Sequence, residues 1–320
     1  KFLNMKTIAI IAVVGVAALA LFSLTSTVDS GIETQFQDYL SNYGRNYGTE
    51  AEYQARLAIF SENLNTIERL NIENPRATFS VNGFADRSQQ EMTVKMGLRI
   101  PEGTVTTGKH IAPNSNAVKD WTYLWKEVKD QGQCGSCWAF SAAAAFEARR
   151  ALNDGTNGDI DAPRSEQELV DCDTQSSGCN GGWMDFAFTY LKGHGFCTET
   201  QYPYHAKDET CQASLCADMP QDKAFTDIPA GDEKSLVNEL VANGPIAVAV
   251  DASSWSFYNS GVLDSCGSSL NHGVTLVATD GDSLKIRNSW AGSWGEEGYI
   301  RLAAGKNLCG VANVASFPTF

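Results

Sequence analysis

The sequence predicts an α+β protein in which a mainly helical N-terminal region precedes a domain with two halves, one helical and one rich in strands. Three observations support this prediction. Residues recur at helical spacing within 32–98, an alanine-rich helix follows Cys137, and four short β-branched runs lie between turn signals after residue 245. A change from helices to strands within one domain predicts a cleft between the two halves.

Charge and cysteine content divide the chain near residue 114. The 320 residues carry a net charge of −14, of which residues 1–114 contribute −1 and residues 115–320 contribute −13. Phosphate binding needs clustered Lys and Arg, so a nucleic-acid partner is excluded. The acidity indicates either solubility alone or work in an acidic compartment. All nine cysteines follow residue 133, which predicts a disulfide framework in the second region with one thiol left over.

The N-terminus resembles a targeting segment. Lys6 precedes an apolar run at residues 8–24, and small and polar residues follow it. This order is typical of a secretory signal peptide, assigned here to residues 1–28. The alternative is a membrane anchor, although 17 apolar residues fall just below the usual spanning length.

The next region predicts a helix, a short strand and a linker. Thr49 and Glu52 have the spacing of a capping box. One helical face then carries six residues at steps of three or four: Glu52, Arg56, Phe60, Asn63, Ile67 and Asn71. An ordinary amphipathic helix packed through its apolar members is the alternative. Pro75 ends the run. Residues 79–86 predict a short strand followed by a turn, and residues 99–119 predict an extended linker.

The second region begins as helices and ends as strands. Residues 131–141 lead into a helix with Cys137 in its first turn, Ser165 and Glu168 form a second capping-box pattern, and residues 178–182 predict a tight loop. Strands are predicted at residues 246–251, 273–278, 283–287 and 298–302.

Cys137 is the candidate nucleophile. A thiol becomes reactive when a helix N-terminus and a neighbouring imidazolium lower its pKa, in favourable cases to ~3–4. Four histidines could supply the ring: His110 in the linker, His194 in a glycine-rich loop, His205 in a turn, and His272 just before a predicted strand. His272 follows Cys137 by 135 residues, a spacing known for Cys–His hydrolases. A lone histidine is otherwise an ordinary packed or surface side chain.

Two amides and an indole complete the candidate site. Asn288, 16 residues after His272, can orient the imidazole without neutralising an imidazolium, and Trp290 can shield that hydrogen bond from water. Gln131 offers a side-chain N–H to a developing oxyanion, and the backbone N–H of Cys137 offers a second donor.

With these residues in place, the chain over residues 33–320 resembles the papain family of cysteine peptidases, in its cathepsin L-like branch. The resemblance is carried in order by residues 131–141, 165–172, 178–182, 271–273, 288–290 and 294–299. The six-residue helical face matches the family's interspersed Glu-Arg-Phe-Asn-Ile-Asn propeptide motif. Asn82, Phe84 and Asp86 match the motif that follows it, although Ser80 replaces its glycine.

The resemblance implies a papain-like two-lobed fold with a helical left lobe and a β-barrel-like right lobe. Residues 29–114 would form an inhibitory propeptide and residues 115–320 the peptidase domain. The propeptide tail would occupy the cleft in the direction opposite to a substrate, until processing at low pH releases it. The implied activity is a cysteine endopeptidase that works through an acyl-enzyme, needs no cofactor or metal, and acts on proteins and peptides as a monomer, in a lysosome-like vesicle or after secretion.

The resemblance also implies disulfides and substrate contacts. Three bridges carry over by position: Cys134–Cys179, Cys172–Cys211 and Cys266–Cys309. Cys197 and Cys216 are left for a fourth bridge, with two free thiols as the alternative. Gly182 would pair with an extended substrate beside Trp290. A second specificity pocket would be lined by Met184, Ala249, Asn271, Gly273 and Val314. These neutral residues predict an apolar or aromatic substrate side chain two residues before the cut.

The chain departs from the family pattern in three loops: the segment 121–131 is shorter, Thr279-Asp280 replace Tyr-Gly, and Ala291 replaces a glycine. No insertion between Cys197 and Cys216 would occlude the cleft, which favours an endopeptidase. Three other readings are a Cys134–Cys137 redox pair, a cysteine zinc site, and a relative without catalytic activity.

Overall fold

A computed structural model describes residues 30–104, 106–108, 110–112, 118–156, 160, 162–216 and 219–320. The predicted signal peptide and the predicted boundary at residues 114 and 115 lie outside these residues. The chain divides into two compact units, residues 1–45 and residues 46–320. In the first unit, helix α1 spans Ser30–Tyr43, and the rings of Phe36 and Tyr39 stack at 6.1 Å within it.

The second unit begins with the long helix that the sequence predicts. Helix α2 spans Glu50–Glu73, and the Thr49 hydroxyl accepts the N–H of Glu52 at 3.2 Å. The Glu52 carboxylate accepts the N–H of Gly48 instead of that of Thr49, so only half of the predicted capping box forms. The helix ends before Pro75, because the residue preceding a proline is disfavoured in helical conformation.

The predicted strand at residues 79–86 is displaced in the structure. Strand β1 spans Ala77–Phe79, and residues 83–86 form a turn. The turn starts early because Asn82 folds back on its own backbone, its side-chain oxygen accepting the N–H of Phe84 at 3.0 Å. A short helix α3 (Gln89–Thr93) follows, with a complete Ser88–Glu91 capping box that the sequence analysis missed.

Four helices form the helical part of the second region: α4 (Cys137–Asn153), α5 (Glu166–Cys172), α6 (Met184–Leu191) and α7 (Glu233–Asn243). The Ser165 hydroxyl caps α5 through the N–H of Glu168 at 3.0 Å. The Glu168 carboxylate instead accepts the N–H of Cys197 at 2.7 Å, so this predicted box is also half formed. Helix α4 is almost wholly buried, as its alanine-rich sequence allows.

The strands form one antiparallel-rich sheet that packs on α4. The four predicted strands are present as β4 (Ile246–Val250), β6 (His272–Thr279), β7 (Ser283–Arg287) and β8 (Tyr299–Ala303). The sequence analysis missed four others: β2 (Lys119–Asp120), β3 (Ala224–Asp227), β5 (Tyr258–Leu263) and β9 (Ala315–Thr319). The Ser141 hydroxyl on α4 donates to the carbonyl of Val274 on β6 at 2.5 Å.

The sheet is open, which corrects the expectation of a barrel-like lobe. The strand order is β1-β5-β8-β7-β6-β4-β9-β3, with β2 paired to β6. Within the described residues, β1 pairs only with β5 and β3 only with β9, so the two ends do not meet. The N-terminal region thus contributes an edge strand to the sheet of the second region.

Four disulfides cross-link residues 134–309. The bonded pairs are Cys134–Cys179, Cys172–Cys211, Cys197–Cys216 and Cys266–Cys309. These are the four pairs expected from the sequence, and Cys137 remains a free thiol. Among the residues that the structure describes, no helix combines the length and apolar character that a membrane span requires.

Candidate active site

The thiol of Cys137 opens helix α4 and is fully buried. The backbone N–H of Gly273 points at its sulfur at 3.4 Å. Burial raises the pKa of this thiol to about 11, and backbone N–H groups of Gly273, Gly97 and the first turn of α4 act in the opposite direction. The sulfur therefore lies where helix α4 meets the first residues of strand β6.

His272 is the first residue of β6 and is joined to Asn288, which follows β7. The Nε2 atom of the imidazole lies 2.8 Å from the Asn288 side-chain oxygen, and both residues are buried. The Trp290 ring covers the imidazole, with 5.0 Å between ring centroids. Burial lowers the pKa of His272 to about 4; the Asn288 hydrogen bond opposes this effect, and the positive charge of Lys95 adds to it.

The side chain of Gln131 is held in one orientation. Its oxygen accepts the hydroxyl of Ser289 at 2.6 Å and the indole N–H of Trp290 at 3.2 Å. Its amide nitrogen donates to the carbonyls of Lys95 and Cys134, both at 2.9 Å. An amide whose oxygen is saturated by two donors must present its N–H groups to the other side. Here that side holds the Lys95 carbonyl.

The segment 95–99 fills the cleft next to the thiol. Leu98 forms a parallel bridge with Gly182, in which the N–H of Gly182 donates to the carbonyl of Gly97 at 2.9 Å and the N–H of Arg99 donates to the carbonyl of Gly182 at 2.8 Å. The N–H of Leu98 also donates to the carbonyl of Asn271 at 3.1 Å. A Cβ atom on Gly97 would lie 1.8 Å from the carbonyl oxygen of Gly135, so the approach requires glycine.

The residues expected around a specificity pocket lie close together. Met184, Ala249 and Val314 belong to one buried apolar cluster that also contains Leu98. A Cβ atom on Gly273 would lie 3.1 Å from the Met184 sulfur, so Gly273 borders this cluster. Trp290 packs against His272 and donates its indole N–H to Gln131.

Sequence reasoning missed two residues of this arrangement. Ser289 lies inside the 288–290 motif, so its hydroxyl could have been considered as a second support for Gln131. Lys95 had no signal, because its place depends on the docking of the N-terminal region. The Lys95 side chain is 2% exposed, and its ammonium group lies 3.3 Å from the Asp130 carboxylate.

Two alternative readings of the cysteines are wrong. Cys134 is bonded to Cys179, so it can form neither a redox pair with Cys137 nor a thiolate ligand for zinc. Among the described residues, one potential metal-ligand group of three is present, Glu168 with Cys197 and Cys216, and its two sulfurs are joined to each other.

Comparisons with known proteins agree with this geometry. The sequence profile of the papain family cysteine proteases matches residues 113–319, and that of the cathepsin propeptide inhibitor domain (I29) matches residues 36–92. Cathepsin L 2 of Paramecium tetraurelia is 41% identical, over 92% of this chain and 95% of the relative. Cathepsin L of Sarcophaga peregrina is 36% identical, over 95% and 98%.

Solved precursors have the same fold. Digestive procathepsin L2 proteinase from the larval midgut of Tenebrio molitor superposes with a TM-score of 0.81 at 32% identity, covering 90% of this chain and 100% of that one. The recombinant stem bromelain precursor gives 0.78 at 32% identity, covering 91% and 99%. The chain belongs to the papain family of cysteine proteases and is a cathepsin L-like zymogen with its own propeptide inhibitor domain.

Proposed function

We propose that this zymogen yields an endopeptidase in which Cys137 attacks the scissile carbonyl and His272 carries the proton. The thiolate would add to the carbonyl carbon, and the imidazolium would protonate the leaving amine, which leaves an acyl-enzyme that water then hydrolyses. Asn288 would hold the imidazole, and Gln131 would donate to the oxyanion. The observation that carries this proposal is the contact of the Gly273 N–H with the Cys137 sulfur, because Gly273 directly follows the Asn288-bound His272.

The inhibitory segment would comprise residues 29–114, and the peptidase domain residues 115–320, after removal of a signal peptide at residues 1–28. The Lys95 carbonyl accepts the Gln131 N–H that an oxyanion would need, and Leu98 forms a parallel bridge with Gly182. A segment that runs opposite to a substrate would block the cleft, and its peptide carbonyls would not be oriented for attack by the Cys137 sulfur. Cleavage within residues 99–119 at low pH would release it.

The specificity would favour an apolar or aromatic side chain two residues before the cut. Leu98 supports this preference, because it enters the cluster of Met184, Ala249 and Val314 from the cleft. We propose that the protein acts on proteins and peptides as a monomer in the secretory pathway, either in an acidic vesicle or after secretion. An acidic workplace agrees with the negative net charge of −14.

The test is self-processing of the purified precursor at acidic pH, with Cys137→Ala as the matched variant. The unmodified chain is expected to lose about 10 kDa, roughly the mass of residues 29–114, and then to cut a fluorogenic peptide that has an apolar residue two before the scissile bond. The variant should do neither. Equal maturation of the isolated variant would contradict self-processing, and turnover by it would exclude Cys137 as the nucleophile.

A further inference from the structure

A cationic side chain is buried at the edge of the cleft, next to the Gln131 amide. Lys95 is 2% exposed, and its ammonium group donates to the carbonyl of Gly132 at 2.6 Å and lies 3.3 Å from the Asp130 carboxylate. Burial lowers the pKa of Lys95, while the charge of Asp130 acts in the opposite direction. A buried ammonium group stays charged only where oxygen atoms replace its hydration shell. Here the Gly132 carbonyl and the Asp130 carboxylate do so.

The two oxygens belong to the peptidase domain and are held without help from the N-terminal segment. The Asp130 carboxylate accepts the N–H of Gly132 at 2.9 Å, which fixes the turn and orients the Gly132 carbonyl. The backbone of Gln131 donates to the carbonyl of Ser289 at 2.9 Å, and that of Ala291 donates to Lys129 at 3.1 Å. The Asp130 carboxylate and the Gly132 carbonyl should therefore keep their positions when residues 95–99 leave the cleft.

The position of this pair along the cleft follows from the path of the segment. Leu98 and Arg99 pair with Gly182 on one side of the thiol, and Gly97 passes over Gly135. Because Lys95 precedes Gly97 in the segment and its carbonyl accepts the Gln131 amide, we place it beyond the thiol, on the side away from Gly182. Because Gly182 is expected to pair with the acyl part of a substrate, the opposite side receives the leaving part.

We propose that the Gly132 carbonyl and the Asp130 carboxylate form a subsite for a Lys or Arg side chain of the substrate, within three residues after the scissile bond. In the zymogen, Lys95 occupies this subsite from the inhibitory segment. The inference rests on the proposed peptidase activity and adds a preference on the leaving-group side of the cut.

Asp130 is half exposed, so the effect on substrates should be modest. An exposed ion pair contributes about 0.2–1 kcal/mol, which corresponds to a gain in kcat/KM of up to about fivefold. The contribution of the ion pair should fall as salt screens it, whereas that of the carbonyl should not. A lysine side chain also covers apolar surface with its stem, so an uncharged isostere is the proper reference.

The experiment uses the mature enzyme and internally quenched peptides that share one acyl part. Each of the three positions after the cut carries Lys, norleucine or Glu in turn. At one position we expect kcat/KM to be about two- to fivefold higher for Lys than for norleucine, and lowest for Glu. Asp130→Asn keeps an oxygen for the Gly132 N–H and should bring the Lys-to-norleucine ratio close to one. Glu127→Gln, at an exposed carboxylate three residues away, should leave the ratio unchanged.

Loss of the subsite and loss of the peptidase activity would give different results. If Lys and norleucine peptides are cut equally at all three positions, or if Asp130→Asn keeps the preference for Lys, the subsite is wrong while the peptidase stands. If no peptide is cut by the processed protein, the proposed activity itself fails.

Discussion

Burial holds the proposed catalytic pair of the zymogen uncharged. The pKa of Cys137 is raised to about 11 and that of His272 is lowered to about 4, so between these pH values the thiol keeps its proton and the imidazole has none. Removing residues 95–99 would let water reach both groups, which favours the charged thiolate and imidazolium. On this proposal, residues 95–99 would both block the cleft and suppress the reactive charge state.

The first prediction concerns alkylation of Cys137 by iodoacetamide as a function of pH. In the full chain the rate should be low at pH 6 and should rise only in the alkaline range, as the thiol begins to lose its proton. In the processed enzyme the rate at pH 6 should be roughly a hundredfold higher or more, since a thiolate is already present. Cys137→Ala controls for labelling elsewhere. Identical pH profiles for the two forms would show that burial by the segment does not control ionisation.

Within residues 95–99, the backbone of Gly97 approaches that of Gly135 closely. Gly97→Ala would place a Cβ atom 1.8 Å from the Gly135 carbonyl oxygen, so the segment must shift and lose bonds to Gly182. We expect the variant zymogen to mature faster and at higher pH, by about tenfold in rate at a given pH, as a loss of ~1.4 kcal/mol implies. Gly48→Ala, where the new Cβ meets nothing within 4 Å, should mature at the normal rate.

At this scale the sequence was informative where chemistry restricts the residue type. Gln131, Cys137, His272 and Asn288 could be proposed because each role needs one particular functional group. The contacts of Lys95 could not be predicted, since they arise only when two distant segments dock, and no local pattern encodes that docking.

Elements with strong local signals were predicted well. Helix α2 combines an N-cap with a helical period and a following proline, and the fully buried strands β4 and β6 combine β-branched residues with flanking turns. Strands β3, β5 and β9 carry mixed residues and a weaker alternation, and tertiary pairing decides their conformation. The Ser165–Glu168 capping box was half wrong for a similar reason. The Glu168 carboxylate accepts the N–H of Cys197, which is distant in the chain, instead of the N–H of its own N-cap residue.

The connection after helix α2 is the element that docks the inhibitory region on the sheet. Asn74 is fully buried, and its side-chain oxygen accepts the N–H groups of Asp264 and Ser265 at 3.1 and 2.8 Å. Beside it, β1 pairs with β5, and Arg76 forms a bidentate ion pair with Asp264. This contact lies far along the chain from the segment that fills the cleft.

Asn74→Ala should therefore weaken docking without touching the cleft. Two N–H groups lose their acceptor, which should cost about 1–2 kcal/mol of docking free energy. The cost stays in this range because water can replace part of the lost hydrogen bonding. We expect maturation at a higher pH and faster hydrogen exchange in β1. Asn74→Asp retains an acceptor oxygen and should recover most of the effect, while Ile72→Ala, at a residue 76% exposed on the same helix, should change nothing. An unaltered activation pH in Asn74→Ala would contradict a docking role for this connection.

At the scale of the whole molecule, the sequence predicted the order of the parts and the cleft between helices and strands. The open sheet with an edge strand from the N-terminal region was not predictable, because β1 is three residues long and gains its partner only in the assembled zymogen. Sheet closure likewise depends on the distance between terminal strands, which no single segment determines.

Several carboxyl groups are buried, and their burial connects the stability of the whole fold to pH. Burial raises the pKa of Asp222, Asp185 and Glu168 to about 7 each. Asp185 is bonded to the Ser316 hydroxyl, and Glu168 to the Tyr190 hydroxyl. Both oxygens of Asp222 are without a hydrogen-bond partner among the described residues. A carboxyl group in such surroundings prefers to keep its proton.

The sign of the resulting effect follows from linkage. Between the unfolded pKa near 4 and the folded pKa near 7, the folded state binds more protons than the unfolded state, so the free energy of unfolding decreases as pH rises through this window. The contribution of these carboxyl groups to the free energy of unfolding is complete below about pH 4 and is lost above about pH 7. These groups therefore make the fold more stable in acid, where the inhibitory segment is expected to be released, than at neutral pH.

The last prediction isolates Asp222. In the full chain carrying Cys137→Ala, to prevent self-digestion, the urea midpoint should fall between pH 4.5 and pH 7.5. Asp222→Asn removes the titrating group and should flatten this slope, with a higher midpoint than the parent at pH 7.5 and a similar one at pH 4.5, because a neutral amide avoids the buried charge. Glu68→Gln, at an exposed carboxylate on α2, should keep the parent slope. Ionising a buried carboxyl group with few polar partners costs free energy, which is why Asp222 is expected to produce part of the slope. If Asp222→Asn leaves the slope unchanged, the pH dependence must come from other groups.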